Sequence, residues 1–286
     1  MIERAGAPAP AGAANGLPRL SQASAPVTRT VWATNARGER VASTIPCERA
    51  LTVYVDKREI VTLMTLGAHP EWLVLGYLVN QRLVRSVAEV ASITVDWEVG
   101  AAAVQTRAGI ADLAVRTERR VVTTGCGQGS VFASVMDEVD HLALAPSVLH
   151  QAQLYAIVQT IRQQDSIYKV AGSVHGCALF EGDVQLLFVE DVGRHNAIDT
   201  IAGWMALLAV PGADKVLYTT GRLTSEMVIK SAQMGVPIVV SRSGITEMGL
   251  AVAERLHLCA IGRATHRNFL CFSAPERLVL QPDLAD

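Results

Sequence analysis

The amino-acid sequence predicts an α/β protein, on three observations. Its 286 residues are 50% hydrophobic and 18% charged, which suffices to fill one large domain or two ordinary ones. From about residue 174 onwards, strand-like runs alternate with helix-like runs. These strand-like runs are almost continuously apolar, which is typical of a sheet that helices cover on both faces.

A smaller α+β domain is predicted from residue 27 to residue 146. The 26 residues before it are mainly Ala, Pro and Gly, which cannot bury enough surface to fold, so a flexible tail is predicted there. The domain opens with three β-type runs, VTRTVWAT, LTVYVD and EIVTLMTL. A helix beginning at Pro70 is predicted because apolar residues then recur at helical spacing, namely Trp72, Leu75, Leu78 and Val79. The runs ASITVDWEV and AAAVQTRA predict a hairpin, and RRVVTT leads into a glycine-rich loop.

The second domain is predicted to cover residues 147–286. A helix beginning at Ser147 places four apolar residues on one face, Leu154, Ile157, Val158 and Ile161. The runs VHGCALF and VQLLFVE predict a hairpin, and a helix follows from about Arg194 to Leu208. The remaining chain alternates the strands KVLYTT, PIVVSR and LCAIGRA with the helices TSEMVIKSAQM and TEMGLAVAERLH. The last run, NFLCFS, is predicted to pair with LCAIGRA.

Composition and charge exclude several classes of protein. The net charge of −2 gives no general reason to bind nucleic acid or an anionic membrane. The longest apolar stretch, around residues 205–210, is far shorter than the ~20 residues that a bilayer requires. Glu3 and several prolines stand where a secretion signal would be apolar, so a cytoplasmic protein is predicted.

The five cysteines are widely spaced and form no C-x-x-C pair. Neither a disulfide framework nor a structural zinc site is therefore predicted. Cys177, Cys259 and Cys271 lie in apolar runs and are predicted to be buried as small hydrophobic side chains.

Cys126 differs from these, because it stands among Gly125, Gly127 and Gly129 in the stretch VVTTGCGQGSVF. Four roles compete for it: buried filler, metal ligand, acyl-transfer nucleophile and sulfur carrier. A role as buried filler does not explain the glycines, and a role as metal ligand lacks partner ligands. An acyl-transfer nucleophile needs a histidine base, and the sequence cannot place one beside Cys126. A sulfur carrier needs an accessible thiolate on a mobile tether, which flanking glycines favour. The residues alone leave all four roles open.

Arginines recur where the predicted strands end. The four strand ends read VEDVGRHN, TTGRLTSE, SRSGIT and GRATHRN, and they contain Arg194, Arg222, Arg242, Arg263 and Arg267. If the strands are parallel, these arginines gather at one edge beside helix N-termini, which suits a ligand with several phosphates. The alternative is that each arginine is solvated or pairs with Asp191, Glu226 or Glu247. A P-loop and a complete G-x-G-x-x-G are both absent from the sequence.

His195 is the histidine whose position suggests a role, because it begins a helix inside this edge and can bond a phosphate or another ligand group. The remaining histidines are predicted to be structural or surface residues. No H-x-E motif combined with C-x-x-C occurs, so a zinc deaminase is disfavoured and no metal ligand is predicted.

Four motifs together resemble the formate dehydrogenase accessory sulfurtransferases, the FdhD family. They are VEDVGRHNAIDT, TTGRLTSEMVIKSAQMGVPIVVSRSGIT, GSVHGCALF and RTERRVVTTGCG, and the resemblance spans roughly residues 40 to 280. It implies a homodimer, a smaller N-terminal α+β domain, and a C-terminal cytidine-deaminase-like three-layer α/β/α core without the deaminase zinc.

The resemblance also implies a function. Family members accept sulfur from a cysteine desulfurase as a cysteine persulfide, at the position of Cys126. They pass it to the molybdenum cofactor Mo-bis(molybdopterin guanine dinucleotide), bound as cargo, before that cofactor enters the formate dehydrogenase catalytic subunit. GDP or GMP is expected to mimic the cargo. The implied binding stretch is Arg263, Ala264, Thr265, His266, Arg267 and Asn268. The strand-end residues Arg194, His195, Gly221, Arg222, Ser241 and Arg242 are expected to complete the site.

One departure from the family pattern leaves two functions open. The family carries C-G-x-C in the loop, whereas this chain reads Cys126-Gly127-Gln128-Gly129. A second cysteine would release sulfide by closing a disulfide, and this loop lacks it. The first hypothesis is a sulfur carrier that uses Cys126 with an outside reductant. The alternative is a non-catalytic chaperone that binds the molybdenum cofactor without persulfide transfer.

Overall fold

Two principal β-sheets organise the part of the chain that the computed structural model describes, residues 16–110 and 141–284. The five-stranded sheet contains β1 (Arg19–Leu20), β4 (Arg49–Val55), β5 (Arg58–Thr65), β6 (Val90–Asp96) and β7 (Ala101–Thr106). Its spatial order is β1-β6-β7-β4-β5. Beside it, β2 (Thr28–Thr34) and β3 (Arg40–Pro46) form a separate antiparallel hairpin. These strands confirm the β-type runs predicted before residue 107, including the β6–β7 hairpin.

The predicted flexible tail is wrong for residues 19–25, which belong to the fold. β1 pairs in parallel with β6. Ser21 Oγ and the Ala23 backbone N–H donate to the buried carboxylate of Glu71, over 2.6 and 2.7 Å. The amino-acid composition did not predict this order, because strand pairing and hydrogen bonds to one buried carboxylate hold the segment without a large apolar surface. Residues 1–15 lie outside the described part of the chain.

The six-stranded sheet carries the predicted binding residues. Its strands are β9 (His175–Glu181), β10 (Val184–Asp191), β11 (Lys215–Thr219), β12 (Ile238–Ser241), β13 (Cys259–Thr265) and β14 (Asn268–Ser273), in the order β10-β9-β11-β12-β13-β14. β11, β12 and β13 are parallel, and β9 is antiparallel to both β10 and β11. The carboxyl ends of β10, β11, β12 and β13 therefore lie at one edge, together with the amino end of β9.

Helices cover both faces of this sheet, which confirms the α/β class and the three-layer core. α4 (Arg194–Leu208), α5 (Ser225–Gln233) and α6 (Glu247–Arg255) share one apolar cluster with β-strand residues such as Leu179 and Leu217. α2 (Gln151–Gln163) packs on the opposite face with Phe180 and Val216. The short α3 (Ile167–Ala171) follows α2. In the described ranges, no helix is both long and apolar enough to cross a bilayer.

α2 begins four residues later than predicted, at Gln151 instead of Ser147. The intervening β8 (Leu149–His150) pairs in parallel with β15 (Leu278–Val279) near the C-terminus. Ser147 Oγ donates to the carbonyl of Ala213 over 2.7 Å and does not cap a helix. Three single-turn 3₁₀ helices complete the described secondary structure, at Val87–Glu89, Pro275–Arg277 and Pro282–Leu284.

The backbones of α1 (Pro70–Asn80) and α4 touch directly, and this contact joins the two sheets. A Cβ added at Gly76 would lie 1.7 Å from the Asp199 carbonyl oxygen, and one added at Gly203 would lie 1.9 Å from the Trp72 carbonyl oxygen. Both positions therefore require glycine. Because α1 lies between the five-stranded sheet and α4, it is buried nearly all round and not only along the predicted stripe. The predicted domain boundary near residue 146 stays a prediction.

Candidate functional site

Hydrogen bonds tie the loops after β11 and β12 and the end of β13 into one surface, which we call the arginine edge and define by Arg194, Arg222, Arg242 and Arg263. The Arg242 backbone N–H donates to the Thr219 carbonyl over 3.0 Å. Ser241 Oγ donates to the Gly221 carbonyl over 2.6 Å. The Arg263 backbone N–H donates to the Ser243 carbonyl over 2.7 Å. The parallel strands thus bring together residues that are far apart in sequence.

Arg194 joins this surface from the first turn of α4. Its side chain lies directly over Gly221, where an added Cβ would be 2.7 Å from Arg194 Cδ. Gly221 is therefore needed so that the β11 loop and the start of α4 can approach each other. Gly221 was predicted to belong to the site, and the close approach of Arg194 is the reason why this position needs a glycine.

Three of the four guanidinium groups at the edge are exposed, namely those of Arg222, Arg242 and Arg263. In the described residues, no carboxylate lies within 4 Å of any of these three groups. Two of the three alternative pairing partners, Asp191 and Glu226, are engaged elsewhere. Asp191 accepts hydrogen bonds from Thr65 Oγ1 at 2.5 Å and Asn196 Nδ2 at 3.0 Å, and Glu226 lies beside His195 and Lys230.

The backbone at Arg263 is strained, because its φ of +53° lies in the left-handed region that non-glycine residues avoid. The strain coincides with an irregularity in the β13–β14 register between Gly262 and Thr265. Strain of this kind persists where the surroundings over-determine it, commonly at ligand sites. Here the hydrogen bond to Ser243 holds the strained residue at the edge.

Arg242 also contacts an aromatic ring that α3 places beside the edge. Its guanidinium carbon lies 5.8 Å from the ring centroid of Tyr168. The backbone N–H groups of Ile167 and Tyr168 donate to the Glu190 carboxylate over 2.6 and 3.1 Å, which fixes α3 at the end of β10. Burial raises the pKa of Glu190, although these two hydrogen bonds oppose the shift. Sequence patterns missed Tyr168, because the contact depends on how a single short turn folds back.

Two histidines lie among the arginines. Burial and then the charges of Arg194 and Arg222 lower the pKa of His175, which begins β9. Burial is also the main cause that lowers the pKa of His195 to about 4, with Glu226 opposing it. Both imidazoles are therefore neutral near pH 7, and the positive charge of the edge comes from guanidinium groups. His175 was predicted to be a structural or surface residue, but the β9–β10 hairpin brings the amino end of β9, where it lies, to the carboxyl end of β10.

An ionic network of Lys230, Asp199 and Glu226 lies beside His195. Lys230 Nζ lies 2.8 Å from Asp199 Oδ2 and 3.3 Å from Glu226 Oε1, and Glu226 Oε1 lies 3.3 Å from His195 Nδ1. The side chains of Lys230 and Asp199 are 4% and 2% exposed. Asn80 Nδ2 donates to Asp199 Oδ1 over 2.7 Å, which links the network to α1. Burial disfavours the charged form of Lys230, yet the two carboxylates hold its pKa above the usual value.

The binding stretch implied by the resemblance is divided between two surfaces. Arg263 lies at the arginine edge, whereas His266, Arg267 and Asn268 line a cavity of about 620 Å³ on the α2 side. Tyr155, Gln159 and Arg162 are among the α2 residues that line this cavity. The prediction that the whole stretch holds one ligand stays a prediction. Thr265 is exposed in the same hairpin, and the side chain of Ala264 is buried in the apolar cluster beneath α2.

The described cysteines have different environments. Cys177 is fully buried beneath the edge, its Sγ 3.3 Å from Thr219 Oγ1, and burial raises its pKa to about 12. Cys177 and Cys259 confirm the predicted burial, whereas Cys271 is only partly buried because β14 is an edge strand. Cys126 lies outside the described ranges. In those ranges, no three side chains of His, Cys, Asp or Glu gather as a metal site.

Comparison with known proteins finds a family match and relatives that are named as sulfur carriers. Residues 46–279 match the FdhD/NarQ family. The sulfur carrier protein FdhD of Bacillus subtilis (strain 168) is 32% identical over 254 residues, which cover 87% of this chain and 96% of the relative. The protein of the same name from Halalkalibacterium halodurans is 30% identical over 246 residues, which cover 85% of this chain and 90% of the relative.

A crystal structure from Desulfotalea psychrophila has the same overall fold, with a TM-score of 0.71 and 25% sequence identity. The match covers 88% of this chain and 99% of that one, whose protein is described as a proposed formate dehydrogenase accessory protein.

Proposed function

The chain belongs to the FdhD/NarQ family, and from this premise we propose that it carries sulfur for the maturation of a formate dehydrogenase. The proposed carrier residue is Cys126, which would receive sulfur from a cysteine desulfurase as a persulfide. The proposed acceptor is the molybdenum cofactor Mo-bis(molybdopterin guanine dinucleotide), held as cargo before it enters the formate dehydrogenase catalytic subunit. A homodimer in the cytoplasm is part of the same proposal.

One observation carries the assignment of a phosphate-bearing cargo. Arg222 and Arg242, on loops, and Arg263, near the end of β13, are exposed in segments that hydrogen bonds tie together. In the described ranges, no carboxylate lies within 4 Å of these three side chains. Like charges on neighbouring segments repel one another, and a bound anion offsets this repulsion. Guanidinium forks fit phosphate oxygens bidentately, and a dinucleotide cofactor supplies pyrophosphate groups.

The neutral histidines complement these charges. His175 and His195 are uncharged near pH 7, so each can donate one hydrogen bond and accept another without adding charge. In the proposed function, the arginines hold the phosphates and the imidazoles hydrogen-bond uncharged groups of the same cargo. The ionic network of Asp199, Lys230 and Glu226 keeps His195 in position.

The test of cargo binding is calorimetric titration with GDP. Arg222→Ala and Arg242→Ala are each expected to weaken GDP binding by about tenfold or more, because each removes a charged hydrogen-bond donor. The matched control is Arg58→Ala, since Arg58 is exposed at the far end of β5 from the strand end that touches Asp191. If all three variants bind GDP with equal affinity, the arginine edge does not bind the phosphates of the cargo.

The test of sulfur transfer uses Cys126→Ala. This variant is expected to keep its GDP affinity but to lower formate dehydrogenase activity in the host, because the cargo is bound without receiving sulfur. Normal maturation of the dehydrogenase by this variant would refute the carrier role.

The alternative, a chaperone that binds the cofactor without persulfide transfer, is favoured by Gly129, which stands where the family has its second loop cysteine. Mass spectrometry after incubation with a cysteine desulfurase and cysteine separates the two functions. One added sulfur atom on Cys126 supports transfer, and an unmodified Cys126 supports the chaperone.

A further inference from the structure

Two thiols meet between the last strands of the six-stranded sheet. Cys259 begins β13, Cys271 lies in the adjacent antiparallel β14, and their Sγ atoms are 3.9 Å apart. The register shifts between these strands, since Ala260 pairs with Ser273 but Ile261 pairs with Cys271. A disulfide bond is about 2.0 Å long, so the two sulfurs need to approach by roughly 2 Å.

The environments of the two thiols differ in a way that suits thiol exchange. Cys259 is wholly buried, whereas Cys271 is partly exposed on an edge strand. The hydrogen bond from Cys259 holds the pKa of Cys271 below its usual value, and the same contact and burial raise the pKa of Cys259. Cys271 is thus the thiol that loses its proton more readily and that an outside sulfur donor can reach, and Cys259 is the buried thiol behind it.

Mutual contact sets this pair apart from the other described cysteines. Cys177 bonds a threonine hydroxyl, and Cys47 lies between β3 and β4. Simple filling of an apolar space requires no second sulfur at contact distance. Thiol–disulfide exchange does require one, because an attacking thiol must reach the sulfur that it displaces.

We propose that Cys259 and Cys271 form a redox-active dithiol that reduces sulfane sulfur to sulfide by closing a disulfide between β13 and β14. The substrate class is a persulfide or polysulfide. This activity is additional to the role proposed for Cys126 and does not require that residue.

The reaction balances in two steps. The Cys271 thiolate attacks the terminal sulfur of a donor R–S–SH, the donor's S–S bond breaks, and R–S⁻ leaves and takes the proton, so that Cys271 carries a persulfide anion. Cys259 then attacks Cys271 Sγ, the bond to the terminal sulfur breaks, and that sulfur leaves as HS⁻ with the electron pair and the Cys259 proton. The two thiols supply the two electrons and become the disulfide. A cellular thiol such as glutathione returns the pair to the reduced form.

The position of the pair connects this chemistry with the proposed cargo. Cys271 follows Asn268 by three residues along β14, in the hairpin that also carries Arg263. The loop Cys126-Gly127-Gln128-Gly129 has no second thiol of its own. A dithiol in the cargo-binding hairpin would supply the electrons that this loop lacks.

The test starts from the full chain with Cys126→Ala, so that failure of the carrier role cannot affect the result. The reduced protein is incubated with glutathione persulfide, and released sulfide and peptide masses are measured. We expect one sulfide per chain, the loss of two hydrogens, and a cross-linked peptide pair containing Cys259 and Cys271. Adding Cys259→Ser is expected to lower sulfide release by at least about tenfold and to trap one extra sulfur on Cys271.

Cys47→Ser in the same background is the matched control and should release sulfide at the unchanged rate. Sulfide release that is equal with and without Cys259 would overturn the proposal. A second measurement needs no substitution that could disturb folding: the unaltered chain is equilibrated with oxidised and reduced dithiothreitol. A reversible Cys259–Cys271 disulfide supports the proposal, and its absence at every ratio overturns it.

Discussion

Arg222 lies three residues before α5 and Lys230 lies in its second turn, and the two side chains carry the same charge in different surroundings. Lys230 is 4% exposed and has two carboxylates within 3.3 Å, whereas Arg222 is exposed and has none within 4 Å in the described ranges. A buried charge must be compensated inside the chain, because leaving water is unfavourable by several kcal/mol. An exposed charge needs no such partner. The buried cation therefore holds the site together, while the exposed cations remain available to a ligand.

Glu226 and His195 join these two regions. Glu226 is about half exposed and its Oε1 lies 3.3 Å from both Lys230 Nζ and His195 Nδ1. Substitutions can therefore separate contributions to folding from contributions to binding.

The largest loss of stability is expected from Lys230→Met. It leaves the carboxylate of Asp199 buried without its cation, and breaking such a pair lowers the free energy of unfolding by about 3–5 kcal/mol. Urea denaturation followed by circular dichroism measures the loss. The matched control is Lys57→Met, because Lys57 is exposed in the β4–β5 turn.

A second variant tests the cause of that loss. Asp199→Asn keeps the side-chain shape and a partner for Asn80 but removes the buried negative charge. Combined with Lys230→Met, it should recover a substantial part of the stability. A double variant as unstable as the sum of the two single variants would mean that packing, and not charge, is responsible.

The next largest effect is expected from Gly203→Ala, which tests the contact that brings α1 and Asn80 to the network. The added methyl group would lie 1.9 Å from the Trp72 carbonyl oxygen, so the two helices must separate. Overpacking of this kind lowers the free energy of unfolding by about 1–3 kcal/mol. Gly244→Ala is the control, since an added Cβ at Gly244 has no atom within 4 Å. Equal stability of both variants in urea denaturation would contradict the close helix contact.

An effect that is small near pH 7 and grows as the pH falls is expected from His195→Gln. The folded-state pKa of about 4 is below the usual 6.5, so the stabilising contribution is present above pH 6.5 and is lost as the pH falls towards 4. The unfolded chain takes up the proton first. The wild-type protein should lose up to about 3 kcal/mol relative to the variant over this range.

The measurement is urea denaturation of both proteins at several pH values between 7 and 4, a range set by the His195 pKa. Asp191 and Asp199 have raised pKa values, chiefly through burial, and they titrate in both proteins, so the difference between the two isolates His195. If the free energy of unfolding changes with pH in the same way in both proteins, His195 is not buried in its neutral form.

Much of the arginine edge could be predicted from the sequence, because it follows from strand direction alone. Apolar runs separated by helices predict parallel strands, and parallel strands bring Arg194, Arg222, Arg242 and Arg263 to one edge. The sequence gives no sign that Arg267 lines a cavity with residues of α2, since the way in which a strand-connecting turn bends is not encoded in the alternation of strands and helices.

The support beneath the edge could not be predicted in this way. Asp199 and Lys230 lie on different helices and are 31 residues apart, so no local period reveals their pairing. In the sequence, each of them is visible only as a charged residue on an otherwise apolar helix face, which does not identify its partner. The contact of Cys259 with Cys271 likewise depends on a register shift, which the pattern of apolar residues does not specify.

The smallest effect on stability, and the sharpest test of the comparison, is expected from Arg222→Lys. The variant keeps the positive charge but loses the planar fork that binds phosphate through two parallel hydrogen bonds. Because Arg222 is exposed and has no carboxylate within 4 Å in the described ranges, the free energy of unfolding should change by less than about 0.5 kcal/mol. GDP affinity, measured by calorimetry, should nevertheless fall several-fold. A variant that binds GDP as the wild type does would indicate that charge alone is recognised, and one that unfolds more easily would indicate that Arg222 belongs with Lys230 among the residues that hold the fold.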